Sequence, residues 1–251
     1  MRTMLWAGAA CLASSAAVLL ACGPAAQAAT TGVAGHTAGP LAIAASGLDS
    51  SGWAGYELSG ANGAYSSVSA SWTEPAATCT KGDQDVAFWV GLDGVSSDSV
   101  EQIGTETDCT AGTASTFGWY EMYPADAVDF SNPVKAGDVL TASVTFSGAD
   151  TYTLVLADAT ESWTKTVTKA EAGLARSSAE VVTSGPGATG GSTTLTDFGK
   201  ITYTGCAVNG TSMGSQSPVK VTMVDDKGLV MVSPSAMTAA GKFTNTWERG
   251  S

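Results

Sequence analysis

The sequence predicts an all-β protein, most simply a β-sandwich. Short runs of alternating apolar and polar residues recur along the chain, and Gly, Asp, Ser and Asn separate these runs. No extended helical period appears after residue 48. Several hairpins of this kind need a common core between two faces, which favours a sandwich over a small barrel. By its length, the part from Asp49 onward forms one domain.

The first 48 residues differ from the rest, because Arg2 is the first charged residue and Asp49 is the next. An apolar run followed by Ala26-Gln27-Ala28 has the layout of a secretory signal. We expect a signal peptide over 1–28, a short uncharged propeptide-like segment over 29–48, and the domain over 49–251. The alternative is a lipoprotein box ending at Cys22, which would anchor the protein through a lipid. No later stretch approaches the roughly 18 apolar residues of a membrane span, so we expect a secreted protein.

Two hairpins are clear from the alternation alone. Residues 140–146 alternate apolar with Thr and Ser, 147–150 form a turn, and apolar residues alternate again from Tyr152. A second hairpin joins Val219–Met223 to the apolar segment 229–232. We interpret residues 184–192 as a loop inside the domain, because strands of similar character continue beyond it.

Charge and cysteine content restrict the partners and the compartment. All 23 acidic residues lie at or beyond Asp49, and the chain carries a net charge of −12. Such a surface repels phosphates, so we expect no nucleic-acid partner. Disulfides persist in an oxidising compartment. Cys79 and Cys109 sit in turn-like contexts that flank a compact stretch, so we expect them to pair. Cys206 is then free and buried.

Histidine-dependent chemistry is excluded from the domain, because His36 is the only histidine and precedes Asp49. Ser-His-Asp and Cys-His machinery needs an imidazole to carry the proton. The scattered cysteines lack the spacing of a zinc site, so we expect no metal and no other cofactor. Residues 210–214 match Gly-x-Ser-x-Gly, but without histidine or a strand-to-helix context they indicate a polar loop. Any hydrolysis therefore rests on carboxylates and amides.

Three segments carry the candidate residues. Trp119, Glu121 and Tyr123 alternate, so in a strand they share a face and place a carboxylate between two aromatic rings. Gln102 has the pattern of a solvated strand residue. Glu180 has small and apolar neighbours, so partial burial would raise its pKa.

A set of motifs closely resembles, in order and rough spacing, those of the glutamic peptidase (eqolisin) family, and we identify the chain as a bacterial member. The motifs are Trp89–Gly94, Glu101–Glu106, Trp119–Pro124 and Ala179-Glu180, with supporting matches at Gly52–Gly55, Asp197–Gly199 and Ile201–Tyr203. The resemblance covers nearly all of the chain from Gly52 to Trp247. It implies a jelly-roll-like sandwich of two large antiparallel sheets, one curved into a substrate cleft, and a monomeric enzyme.

The resemblance also implies roles. Gln102 and Glu180 match the catalytic positions. The matches to supporting and cleft positions are Asp93, Glu106, Trp119, Glu121 and Trp53, and we add Tyr123 to the cleft from its shared face. Ile103 and Val181 depart from the family pattern, and both side chains are expected to point away from the catalytic residues.

The resulting prediction is an acid endopeptidase acting on proteins or peptides. Glu180 serves as general base and then general acid, and Gln102 stabilises the oxyanion. Hydrogen bonds that favour the anion would let Glu180 ionise near the reference pKa of about 4.3 or below. One alternative is a jelly-roll glycoside hydrolase that uses Glu121 and Glu180. Another is a non-catalytic carbohydrate-binding module with Trp53, Trp119 and Tyr123 as platforms.

Overall fold

The computed structural model of the protein describes residues 49–95, 97–185 and 194–250. The predicted signal peptide, the propeptide-like segment, Cys22 and His36 lie outside the described residues, as does most of the loop predicted over 184–192. Within the described ranges, no helix is long and apolar enough to cross a membrane.

The described residues form seventeen strands and a single 3-10 turn (Met213–Ser215), without an α-helix, as the sequence predicts. The strands are β1 (Asp49–Ser50), β2 (Trp53–Ser59), β3 (Ser67–Thr73), β4 (Gln84–Asp93), β5 (Val100–Thr110), β6 (Thr113–Tyr123), β7 (Val128–Pro133), β8 (Val139–Gly148), β9 (Thr151–Asp158), β10 (Trp163–Ala170), β11 (Ser178–Ser184), β12 (Thr194–Leu195), β13 (Lys200–Val208), β14 (Thr211–Ser212), β15 (Val219–Val224), β16 (Val230–Pro234) and β17 (Phe243–Trp247).

Two large antiparallel sheets make the sandwich. The first has the order β7-β6-β5-β4-β11-β2-β15. The second has the order β10-β9-β8-β3-β13. Strands β16 and β17 connect β15 to β13, so the two sheets are continuous along one side. Only short pairs, β1 with β15 and β12 with β4, are parallel among the described strands.

Both hairpins predicted from alternation are confirmed. Strands β8 and β9 pair antiparallel, with Val144 opposite Leu154, and both side chains are fully buried. Strands β15 and β16 pair with Met223 opposite Val232. The segment 210–214 is a tight polar connection whose Ser212 hydroxyl donates a hydrogen bond to the Ala239 carbonyl at 2.8 Å, which gives it a structural role.

The main core fills the space between the sheets. On the first sheet it receives Ile103 of β5 and Val181 of β11, both fully buried. Because side chains alternate along a strand, their neighbours Gln102 and Glu180 point to the opposite face. Ile103 and Val181 therefore point away from Gln102 and Glu180, as the sequence analysis expects.

The cysteines are arranged as predicted. Cys79 and Cys109 form a disulfide between the segment before β4 and the end of β5. Cys206 is a free cysteine buried in the core.

A buried carboxyl joins the two sheets. Glu74 follows β3, and its Oε2 accepts hydrogen bonds from Trp72 Nε1 at 3.1 Å and from Thr105 Oγ1 of β5 at 2.7 Å. Burial raises the pKa of Glu74 to about 7, although these two donors act in the opposite direction. Glu74 is therefore a neutral acid at low pH.

Candidate active site

Strand register places five residues in one line across the first sheet. Glu57 of β2 is paired with Glu180 of β11, which is paired with Gly91 of β4. Gly91 is paired with Gln102 of β5, and Gln102 with Glu121 of β6. Residues directly opposite one another point to the same face of a sheet. This line, which we call the acidic row, therefore puts four polar side chains on the face that looks away from the main core.

Gly91 leaves a gap in the acidic row between Glu180 and Gln102. A Cβ at position 91 would lie only 2.9 Å from Cζ3 of Trp89 and 3.4 Å from Cβ of Gln102. Since neighbouring strands lie about 4.8 Å apart, the Glu180 and Gln102 backbones are about 10 Å apart. Two side chains that lean toward each other over a glycine can approach a small reacting group from opposite sides.

Gln102 is held by Glu121. The Gln102 Nε2 atom donates a hydrogen bond to Oε2 of Glu121, and both side chains are fully buried. The solvated position that the sequence pattern of Gln102 predicted is therefore wrong. A carboxyl partner of this kind fixes which end of the amide is the donor. Both residues belong to the family motifs found in the sequence, and the register of β5 with β6 brings them into contact.

Glu180 is fully buried, and burial raises its pKa well above the ordinary value of 4.5. The nearby Ser178 hydroxyl acts in the opposite direction, and the charges of Glu57, Asp93 and Glu101 raise the pKa further. Burial therefore raises the pKa of Glu180, as its small and apolar neighbours predict, and it outweighs the hydrogen bonding that was expected to hold this pKa near 4.3. Glu180 is therefore protonated in acid until the pH passes its elevated pKa.

Glu57 is the residue of the acidic row that sequence reasoning missed. It is 4% exposed, and burial raises its pKa to about 7 while a hydrogen bond from Ser59 acts in the opposite direction. Its signal was available in the spacing, since it follows Trp53 by four residues and so shares a face with it. Gly91 received no role either, but for a different reason: its position between Glu180 and Gln102 follows only from the pairing of β4 with the strands on either side.

Asp93 supports the site through the backbone. Its carboxylate accepts hydrogen bonds from the amides of Arg176 and Ser177 at 2.6 and 2.8 Å. These amides lie just before β11, so Asp93 anchors the chain as it enters the strand that carries Glu180.

The other predicted residues lie farther along the same face. Glu106 follows Gln102 by four residues on β5 and is 4% exposed. Trp119 precedes Glu121 by two residues, and Tyr123 follows it by two and is half-buried. Trp53 and Trp119 belong to an apolar cluster beside the acidic row, whose buried members are Trp53, Ala87, Trp89, Val95, Val100, Trp119 and Val182.

The tryptophans of this cluster are held in place by one another and by a serine. The rings of Trp53 and Trp89 meet edge to face, with centroids 4.8 Å apart. Trp89 Nε1 donates a hydrogen bond to Ser184 Oγ at 2.9 Å. This apolar surface gives the neighbouring carboxyls a low-dielectric setting, which raises their pKa values.

In the described part of the chain, no group of three or more His, Cys, Asp or Glu side chains could hold a metal ion. What the acidic row offers chemically is a carboxyl group and an amide on either side of a gap.

Comparisons with known proteins bear on this arrangement. A family model described as the Peptidase A4 family matches residues 51–244. Scytalido-glutamic peptidase, solved with a transition state analog inhibitor, superposes with a TM-score of 0.67 at 21% identity, covering 79% of this chain and 98% of that one. SCP-B, a member of the eqolisin family solved with the tripeptide Ala-Ile-His, gives 0.62 at 18% identity, covering 79% and 98%.

Aspergilloglutamic peptidase from Aspergillus niger gives a TM-score of 0.58 at 24% identity, covering 65% of this chain and 99% of that one. A search of curated proteins finds no match. The structural likenesses show that the chain has the two-sheet fold of these proteins.

Proposed function

Because the chain belongs to the peptidase A4 family of glutamic peptidases, we propose that it is a secreted acid endopeptidase whose catalytic pair is Glu180 and Gln102. The single observation that carries this assignment is the gap at Gly91, which has the carboxyl of Glu180 on one side and the amide of Gln102 on the other. A peptide carbonyl and the attacking water fit between a base and a hydrogen-bond donor placed in this way.

In the proposed reaction, the carboxylate of Glu180 takes a proton from a water molecule as the water oxygen bonds to the peptide carbonyl carbon. The carbonyl oxygen becomes an oxyanion, and the Gln102 amide donates a hydrogen bond to it. Glu180 then gives its proton to the amide nitrogen, the C–N bond breaks, and an acid and an amine leave. The bond to Glu121 keeps the Gln102 amide oriented, and a preorganised donor of this kind is worth roughly 10²–10³ in rate.

The pH dependence follows from burial. The rate rises with pH as Glu180 ionises, and this rise lies above pH 4.5, the ordinary value for a glutamate. The fold loses stability as other buried carboxyls ionise, with Glu57 and Glu74 at about 7. The proposed acid optimum requires part of the Glu180 population to ionise before the loss of buried protons destabilises the fold.

The register also argues against the glycoside hydrolase alternative. Glu121 and Glu180 are three strand spacings apart, about 14 Å between backbones, and Gln102 stands between them. A retaining glycosidase needs its carboxyls about 5–5.5 Å apart. Membership of a peptidase family also argues against the alternative of a carbohydrate-binding module.

Secretion and the monomeric state are part of the same proposal. The signal layout of residues 1–28 and the Cys79–Cys109 disulfide support export to an oxidising compartment. Edman sequencing of the secreted protein and sedimentation analysis test the two statements.

The test of the proposed activity is digestion of a denatured protein from roughly pH 3 to pH 8, with every product identified by mass spectrometry. We expect internal cleavages that are most frequent below neutrality. Release of terminal residues alone would contradict an endopeptidase, and a maximum at or above pH 8 would contradict the proposed pH dependence.

A further inference from the structure

We propose that Glu57 is a positioning residue for the reaction, a proton-sharing partner whose carboxyl controls when Glu180 becomes the base. The inference rests on the proposed function, because it assigns the partner of the same catalytic carboxyl.

The geometry places the two carboxyls side by side. Glu57 and Glu180 are direct partners in the β2–β11 ladder, so their Cβ atoms are about 4.5–5.5 Å apart on one face of the sheet. Glu57 is 4% exposed and Glu180 is fully buried. Two like charges at this separation and burial repel strongly, so the pair holds one negative charge before it holds two.

Few groups compensate these charges. On the side of Glu57 away from Glu180, β15 presents Val219, which is apolar. The Tyr65 phenol lies in the loop after β2. Burial raises its pKa most, and the charges of Glu180 and Glu57 raise it further.

The remaining groups near the pair are the Ser59 and Ser178 hydroxyls, which lower the pKa of Glu57 and Glu180 respectively, and the carboxyls of Asp93 and Glu101. Among the charged groups that raise the pKa of Glu180, Glu57 acts most strongly. Oε2 of Glu57 and both carboxyl oxygens of Glu180 are buried without a hydrogen-bond partner among the described residues, so a negative charge on either group is poorly compensated.

The consequence is a coupled titration. The pair loses its protons in two steps that belong to both groups, and the monoanion divides between a charge on Glu57 and a charge on Glu180. Only the form with the charge on Glu180 can take a proton from water. Glu57 therefore delays the ionisation of Glu180 without touching the substrate.

The experiment is the pH profile of kcat for the wild type, Glu57→Gln, Glu57→Asp and the exposed control Glu161→Gln. We expect Glu57→Gln to move the acidic limb down by roughly one to two pH units, because a neighbouring charge shifts a carboxyl by about that amount. Glu57→Asp keeps the carboxyl and should restore most of the wild-type profile, and Glu161→Gln should leave it unchanged.

An active Glu57→Gln enzyme with an unshifted acidic limb would overturn the inference and leave the proposed function intact. Full activity of Glu180→Gln would instead overturn the proposed function. If Glu57→Gln does not fold, carbon-13 titration of the wild-type carboxyls decides. Two glutamate resonances that each titrate in two shared steps support the pairing, and independent single-step curves refute it.

Discussion

Replacing Glu74 with Gln should flatten the dependence of stability on pH. The pKa of Glu74 rises from 4.5 to about 7 on folding, because the side chain is buried between the sheets. The folded state therefore holds this proton more tightly than the unfolded chain. The stabilising contribution is complete below about pH 4.5 and is lost as the pH rises through about 7.

The magnitude follows from the size of that shift. Each pKa unit corresponds to about 1.4 kcal/mol, so a rise of about 2.5 units removes about 3 kcal/mol of unfolding free energy between acid and neutral pH. Gln cannot ionise, and its carbonyl oxygen can still accept the hydrogen bonds from Trp72 and Thr105. The variant should lose about 3 kcal/mol less than the wild type between about pH 4 and pH 8.

Urea unfolding at both pH values measures this difference. Asp226→Asn, in the exposed turn between β15 and β16, is the matched control and should show the wild-type dependence. The side-chain NH2 of Gln needs a hydrogen-bond partner at every pH, so its effect on stability is the same at both pH values. Only the difference in unfolding free energy between the two pH values is therefore diagnostic. Equal losses in Glu74→Gln and the wild type, within about 1 kcal/mol, would refute the reasoning.

Two further predictions concern the gap and the disulfide. Gly91→Ala should lower kcat/KM by about 10² or more with the protein still folded, because the added Cβ displaces the Trp89 ring and occupies the gap between Glu180 and Gln102; wild-type hydrolysis rates would rule this out. Replacing Cys79 and Cys109 with Ser should cost about 3–4 kcal/mol of unfolding free energy in urea, since the bridge closes a loop with a sequence separation of 30; a loss below about 1 kcal/mol would contradict it.

The fold could be predicted from the sequence wherever local alternation determines it. The hairpin of β8 and β9 has apolar residues at every second position with a turn between, so pairing and facing follow from the chain itself. The orientation of Ile103 and Val181 followed in the same way, because each is the immediate neighbour of a catalytic candidate.

The acidic row could not be predicted, because it depends on pairing between distant segments. Strand β11 lies between β2 and β4, and nothing local to Glu180 specifies that Glu57 and Gly91 are its partners. The face of a residue can be inferred from alternation, but a slip of one residue in register would replace every partner. The direction of the pKa shift of Glu180 was predicted from its apolar neighbours, but its extent was not, since it depends on complete burial and on charges from β2, β4 and β5.

The central claim is that Glu180 and Gln102 perform the hydrolysis as a pair. The most direct test is kcat on one peptide substrate at the optimum pH for the wild type, Glu180→Gln and Gln102→Ala, each shown by circular dichroism to be folded. We predict a loss of at least about 10³ for Glu180→Gln and of roughly 10²–10³ for Gln102→Ala. Folded variants that both retain wild-type turnover would contradict the assignment.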